Sequence, residues 1–366
     1  MNRPTGFRST CTLIGLLACL PCGAPAAAET DTSNWTEKVT VSADLRLRYE
    51  MIQEDGQDDR NRARFRGRVA IEADVAPDIR AVLGLATGGD DPVSTNQTFG
   101  DGFSTKDIGV DFAYVEWDFV EGWALIAGKM PKPWFRAGGS TIIWDNDLNP
   151  EGLAVEFQHR MLFGSMGSYI INERADGPES RLNTIQAGVD IPFSNRSGLI
   201  VALSYFDYTN TIGQAPFYDD DPQGNTVDAN GNYVFDYNEV EFAAEYRTRA
   251  GNWPLTFFGD YVVNTEAATE DTAYSVGVIA GKAREPGSMQ FGYSWHDTDA
   301  DGVNATYNDS DLADGQTDSS GHYFRARYQL RENIYFNGSF IFSEFGAGAG
   351  NAIGFDRVML DVQFEF

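Results

Sequence analysis

The chain has 366 residues, with 54 Asp and Glu against 27 Lys and Arg, a net charge of −27 and 13% aromatics. So acidic a chain argues against nucleic acid as a partner. Mean hydropathy is −0.34, and no stretch approaches the roughly 20 consecutive apolar residues of a spanning helix, which argues against helical membrane spans.

At the N-terminus Arg3 and Arg8 precede an apolar run from Thr12 to Leu20, and Ala26-Ala27-Ala28 offers a small-residue cleavage site before Glu29. This is the pattern of a secretory signal peptide, so residues 1–28 are set apart from one domain over 29–366. An alternative takes Leu16-Leu17-Ala18-Cys19 as a lipoprotein cleavage box with Cys19 acylated; the Ala-rich site is the better formed. Cys11, Cys19 and Cys22 all lie in the signal, so the mature chain is expected to cross an oxidising compartment with no disulfides to form. Loss of Arg3 and Arg8 takes the net charge from −27 to −29.

From residue 38 onward the chain alternates. The first predicted strand, 38–51, sends Val39, Val41, Ala43, Leu45, Leu47 and Tyr49 to one face, and the second, 61–75, does the same with Ala63, Phe65, Val69, Ile71 and Val75. The dyad returns at Ala113/Val115/Trp117/Phe119, Leu153/Val155/Phe157, Ile185/Ala187/Val189, Val240/Phe242/Ala244/Tyr246 and Leu255/Phe257/Tyr261/Val263. It continues through Tyr274/Val276/Val278, Met289/Phe291/Tyr293/Trp295, Phe324/Ala326/Tyr328/Leu330 and Ile334/Phe336/Phe340/Phe342. Segments 79–86, 123–130 and 161–171 are apolar on both faces and are assigned as strands from their length and neighbours. The last ten residues put Val358, Leu360, Val362, Phe364 and Phe366 on one face and Arg357, Met359, Asp361, Gln363 and Glu365 on the other. A terminal strand closing on Phe resembles the signal by which bacterial outer-membrane barrels are recognised for assembly.

Connections alternate in length. Short ones fall near 76–78, 120–122, 159–160, 191–198, 248–253, 282–287 and 331–333; long polar ones fall near 52–59, 87–106, 131–151, 172–180, 210–236, 265–271, 297–321 and 344–355. This pattern predicts an all-β transmembrane barrel of about 16 antiparallel strands with short periplasmic turns and long external loops, the strand number at which an aqueous channel stays open. Trp117, Trp123 and Trp253 near the short turns, and Tyr49, Tyr208 and Trp295 near the long loops, are expected to form two interfacial girdles.

In the second and third external loops, Gly84-Leu-Ala-Thr-Gly-Gly-Asp-Asp-Pro-Val-Ser-Thr-Asn-Gln-Thr-Phe-Gly-Asp-Gly-Phe-Ser-Thr-Lys-Asp-Ile-Gly109 with Ala113-Tyr-Val-Glu-Trp117, and Gly138-Gly-Ser-Thr-Ile-Ile-Trp-Asp-Asn-Asp-Leu-Asn-Pro-Glu-Gly-Leu-Ala154, the chain resembles the putative porins of Gram-negative bacteria. The resemblance is most specific over residues 84–157. It implies an outer-membrane diffusion channel, typically a homotrimer, and brings no catalytic residues with it.

The inward parity is informative without the family. Arg46 and Arg48 on the first strand, and Arg60, Arg62, Arg64, Arg66 and Arg68 on the second, share the side opposite the apolar face. A guanidinium facing hydrocarbon at the bilayer midplane costs roughly 2–4 kcal/mol, so these side chains must meet water or protein. Arg357 on the last strand and Arg325 and Arg327 on the fourteenth extend a basic wall. Across the lumen the tenth strand carries inward Glu239, Glu241 and Glu245, and Asp145, Asp147 and Glu151 would join them if the third loop folds inward, as it does in general porins. The competing structural reading pairs the arginines with inward Asp44, Glu50, Glu72 and Glu116 to stiffen the wall.

Asp297-Thr-Asp299-Ala-Asp301-Gly302 opens like a calcium loop but has Asn308 at the twelfth position, so a solvated acidic loop is the preferred reading over a Ca²⁺ site. Asp219-Asp220-Asp221 and Asp228 to Asn232 have poorer spacing and could instead share divalent cations with lipopolysaccharide phosphates. Histidine is scarce: His159 falls at a turn and His296 and His322 end strands. Ser294 shares the parity of His296, but no third member of a hydrolase triad is evident, so no enzyme is expected. The expectation is a pore for passive diffusion of small hydrophilic solutes and ions, biased by its arginines; the alternative is a solute-selective channel for an anionic or carboxylated nutrient.

Overall fold

The computed structural model describes residues 38–175 and 177–366; the expected signal peptide and the Cys19 alternative lie outside them. Sixteen long strands follow one another: β1 (Val39–Glu54), β2 (Arg60–Ala76), β3 (Ile79–Thr87), β4 (Ile108–Val120), β5 (Trp123–Lys129), β6 (Glu151–His159), β7 (Leu162–Asn172) and β8 (Ser180–Ser194), then β9 (Ser197–Thr209), β10 (Asn238–Ala250), β11 (Trp253–Asn264), β12 (Thr272–Gly281), β13 (Met289–Thr298), β14 (Ser319–Arg331), β15 (Ile334–Phe345) and β16 (Ile353–Glu365). Each pairs antiparallel with the next, and β16 returns to β1 with Leu47 opposite Val362 and Tyr49 opposite Leu360, so the sheet closes on itself. A further two-residue strand, Gln97–Thr98, pairs from the second external loop with β2. No helix among the described residues is long and apolar enough to cross a membrane.

The two-residue period sorts the side chains. Leu47, Val69, Phe242, Phe291 and Leu360 lie exposed around the outside, an apolar surface far beyond what water tolerates on a soluble protein. Trp117, Trp123 and Trp253 sit on the same outer surface beside the short turns, and Trp123 stacks on Phe157 at 5.2 Å. Tyr208 departs from its expected girdle position: it is 0% exposed. Its parity is that of Phe206, and it points inward onto an aromatic cluster. Turns such as 121–122 are closed by a left-handed residue: Gly122 has φ 77°, and any Cβ there would collide with the Gln158 carbonyl.

The segments that read as apolar on both faces are β3, β5 and β7. In β5 and β7 the reason is visible. Inward Ile126 and Tyr169 lie under the third external loop, residues 130–150, packed with Trp134 and Trp144 instead of water.

The topology predicts that a cysteine at exposed Asp220, in the external loop 210–237, will react with a membrane-impermeant maleimide on intact cells, whereas one at Gly287, in the turn 282–288, will not. Labelling at position 287 alone would invert the orientation.

Candidate functional site

The β1–β2 register sets arginines directly opposite one another, Arg46 against Arg66 and Arg48 against Arg64. Like charges so placed repel, and carboxylates threaded between them offset the repulsion. Asp361 of β16 takes Arg48 through two bonds, at 2.8 and 3.1 Å, with Arg46 at 4.0 Å. Asp44 takes Arg66 at 3.1 Å and Arg68 at 2.7 Å. Glu50 has no exposed surface and is shared by Arg62, Arg64 (3.3 Å) and Arg357 (3.5 Å). Removing either partner from such a buried set would strand an uncompensated charge, a change that typically costs about 3–5 kcal/mol. Arg327 reaches Glu365 at 3.0 Å and lies over the Tyr335 ring, while Arg325 lies over Tyr323 at 4.9 Å and forms no ion pair among the described residues.

The third loop folds into the lumen because it carries side chains that water rejects. Trp134, Ile142, Ile143, Trp144 and Leu148 are all buried; Trp144 meets Phe206 at 5.1 Å and Trp134 at 5.0 Å. At the far end of the loop the Gly138 N–H donates to Glu245 at 3.0 Å, in a left-handed turn (φ 60°) pressed against the Phe258 ring. Gln186 of β8 both accepts from the Phe135 N–H (2.7 Å) and donates to its carbonyl (2.9 Å). Lys132, whose ammonium donates to the Asn146 carbonyl at 3.3 Å, is pushed down to about 7 by burial and then by Arg136.

This fold delivers Asp145 and Asp147 to the interior. Asp147 accepts from Thr95 N–H (3.1 Å) and Oγ1 (2.9 Å) and faces Arg66 at 3.5 Å. Burial works against its ionisation, but Arg66 and Arg46 outweigh it and hold the carboxyl below its ordinary range. Asp145 is driven well above its range by burial, with Asp147 and Asp309 adding to the effect. Asp309, in the seventh external loop (299–318), is raised by burial and then by Asp311.

Between these loops and the β1–β2–β14–β15–β16 wall lies a cavity of about 600 Å³. Eight guanidinium groups (Arg46, Arg48, Arg62, Arg64, Arg66, Arg325, Arg327, Arg357) and eight carboxyls (Asp91, Asp145, Asp147, Asp219, Asp309, Asp311, Asp314, Asp361) line it. Formal charge at the cavity is therefore balanced, although the chain as a whole is strongly acidic.

Of the residues singled out in the sequence for the two facing walls, Arg60, Arg68, Glu151, Glu239, Glu241 and Glu245 are absent from this lining. Glu239 and Glu241 do point inward but are buried: Glu239 accepts from the Asn304 N–H of the seventh loop at 3.0 Å, and Glu241 from Ser204 Oγ of the neighbouring β9 at 2.6 Å. The acidic side is supplied instead by Asp309, Asp311 and Asp314, which the sequence reading did not select. Their signal was the run Val303, Ala305, Tyr307, Leu312, Ala313 within a polar loop, since a loop with that much apolar surface must bury it. The three carboxylates of the calcium-like segment diverge: Asp297 takes Tyr274 OH (3.4 Å), Asp299 takes Thr272 N–H (3.0 Å), and buried Asp301 takes Thr226 N–H (2.9 Å) and Tyr237 OH (3.2 Å). They pin loops together, and no group of three His, Cys, Asp or Glu side chains suited to a metal gathers among the described residues. Ser294 Oγ and His296 Nε2 do meet at 2.9 Å, fully buried, with no carboxylate on His296 Nδ1 among the described residues.

Residues 49–226 match the model of a family described as Putative porin. Pseudomonas putida OprB, in its high-pH structure, is similar over 92% of this chain and 96% of its own, with 14% identity and a TM-score of 0.63. A triple mutant of the Rhodopseudomonas blastica porin is similar over 90% of this chain and 100% of its own, with 12% identity and a TM-score of 0.52. No curated protein matches the sequence. The class is that of bacterial outer-membrane β-barrels. Within it, residues 49–226 resemble the family described as Putative porin, and that match together with the barrel fold points to a channel.

Replacing Trp144 with Ala would remove packing worth about 3–5 kcal/mol from the third loop while leaving the strand ladder intact. Limited proteolysis should then cut within 131–150 in a barrel that still shows heat-modifiable migration. A loop as resistant as that of the unaltered protein would show that Trp144 does not hold it.

Proposed function

We propose that this outer-membrane channel passes small hydrophilic solutes and ions by passive diffusion, with the arginine wall biasing which ions cross. The observation that carries the proposal is the polar cavity in which wall guanidinium groups face carboxyls of the folded-in loops. Charges set in a low-dielectric wall around a narrow aqueous path act strongly on passing ions. Outer-membrane lipid and lipopolysaccharide would surround the barrel, and a homotrimer would be the working assembly, as the family resemblance implies.

A second reading, a solute-selective channel for an anionic or carboxylated nutrient, is favoured by Arg325. It lines the cavity without an ion pair among the described residues, so its guanidinium is available to a solute carboxylate. Saturable block of conductance by such a solute would favour this reading, and unsaturated flux the general pore.

Planar-bilayer recording tests the proposal. Neutralising Arg46, Arg64 and Arg66 together to Gln should move the reversal potential toward cations. The effect should be greatest at low salt, because the Debye length falls from roughly 30 Å at 0.01 M to about 3 Å at 1 M. Arg68→Gln, outside the cavity lining, should shift it far less. Normal insertion with unchanged selectivity at low salt would reduce the arginines to partners of the wall carboxylates.

A further inference from the structure

We infer that the seventh external loop sets the width of the passage: residues 309–315 form a strap drawn across the lumen and held by Arg357 of β16. The inference rests on the porin reading. Arg357 is 3% exposed and turns its guanidinium toward the loop, where Nη1 donates to the Ser310 carbonyl (3.0 Å) and Asp311 Oδ1 (2.9 Å), and Nη2 to Asp314 Oδ1 (2.9 Å). Arg48 stands 3.9 Å from the same Asp311. Beside this clamp, Leu312 and Ala313 are buried against inward Tyr323, Ile341 and Met359, one from each of β14, β15 and β16, and the Ala313 N–H donates to Ser343 Oγ at 3.2 Å.

The other end of the strap is tied to the third loop. The Ser310 N–H and Oγ donate to Asp145 at 3.0 and 2.8 Å, Thr141 Oγ1 donates to Asp309, and the Asp145 N–H donates to the Tyr307 carbonyl at 2.7 Å. The strap therefore bridges the gap between the third loop and the basic wall. Its turn runs through Ala313 (φ 51°) and Asp314 (φ 55°), both left-handed, a conformation that non-glycine residues avoid unless surrounding contacts impose it. Here the contacts are the clamp and the small apolar seat beside it. Asp311 and Asp314 are paired with Arg357 and Arg48, so their main effect is on where the strap lies, and with it on the aperture.

The test uses the full-length protein in planar bilayers and measures conductance and the size cut-off for uncharged polyethylene glycols, a probe indifferent to charge. The paired change Asp311→Asn with Asp314→Asn should raise both conductance and cut-off, Asp314→Asn alone should fall between, and Asp228→Asn in the exposed tip of the fifth loop should leave both unchanged. A heat-modifiable barrel with an unaltered cut-off would overturn the inference, whatever the reversal potential does. If the paired variant fails to form a barrel, deletion of 309–315 carries the test with the same two outcomes. Absence of any channel from the unaltered protein would instead sink the porin reading itself.

Discussion

Everything in this molecule follows from the rule that a chain crossing hydrocarbon must satisfy its own backbone donors and acceptors. A sheet can do so only by closing, and the seam between β1 and β16 is where it closes; Phe366 continues that seam, its N–H donating to the Ala43 carbonyl at 2.8 Å. Once the ladder is a ring, the two-residue period leaves no freedom: one parity belongs to lipid and the other to the interior. Charges expelled from the lipid face are thereby concentrated inside. That concentration explains why Glu50, with no exposed surface, is bearable: three guanidinium groups surround it.

The interior then divides into two unlike regions. Around β7, β9 and the third loop it is a packed aromatic core, in which Trp134, Trp144, Phe206 and Tyr208 touch as they would inside a soluble domain. Against β1, β2 and β14 to β16 it is polar and open. The division is consistent with the physics of burial: aromatic loop residues need a partner surface that is not wet, whereas crowded arginines need carboxylates and water. Filling one side of the barrel at the level of the third loop leaves the charged cavity on the other, beside the basic wall.

Strand count, loop alternation and the lipid-facing parity were legible in the sequence because each depends on a local period that a single segment reveals. Arg46, Arg64 and Arg66 were legible as inward for the same reason. What lay beyond the sequence was which inward residues meet open space. Glu239 and Glu241 have the same parity signature as Arg64, and only packing against segments distant in the chain decides that they are buried. Tyr208 misled for a related reason: an aromatic at the end of a strand suits an interfacial belt and an internal cluster equally well. Asp297, Asp299 and Asp301 were spaced like ligands, but hydrogen bonds to Thr272, Tyr274 and Thr226 draw them apart.

Positive and negative groups at the cavity are therefore held by different means. The eight arginines stand on strands, whose positions the hydrogen-bonded ring fixes; of the eight carboxyls only Asp361 does, and the others ride on loops whose positions depend on packing. Displacing a loop would consequently remove negative charge and widen the space at once, leaving the basic wall in place. The burial of Asp145 and Asp309 adds a further asymmetry, since their carboxyls are driven toward the protonated form while Asp147, beside Arg66, is held ionised. The field across the cavity is thus set less by how many acidic residues the chain contains than by which of them the loops bring within reach of the wall.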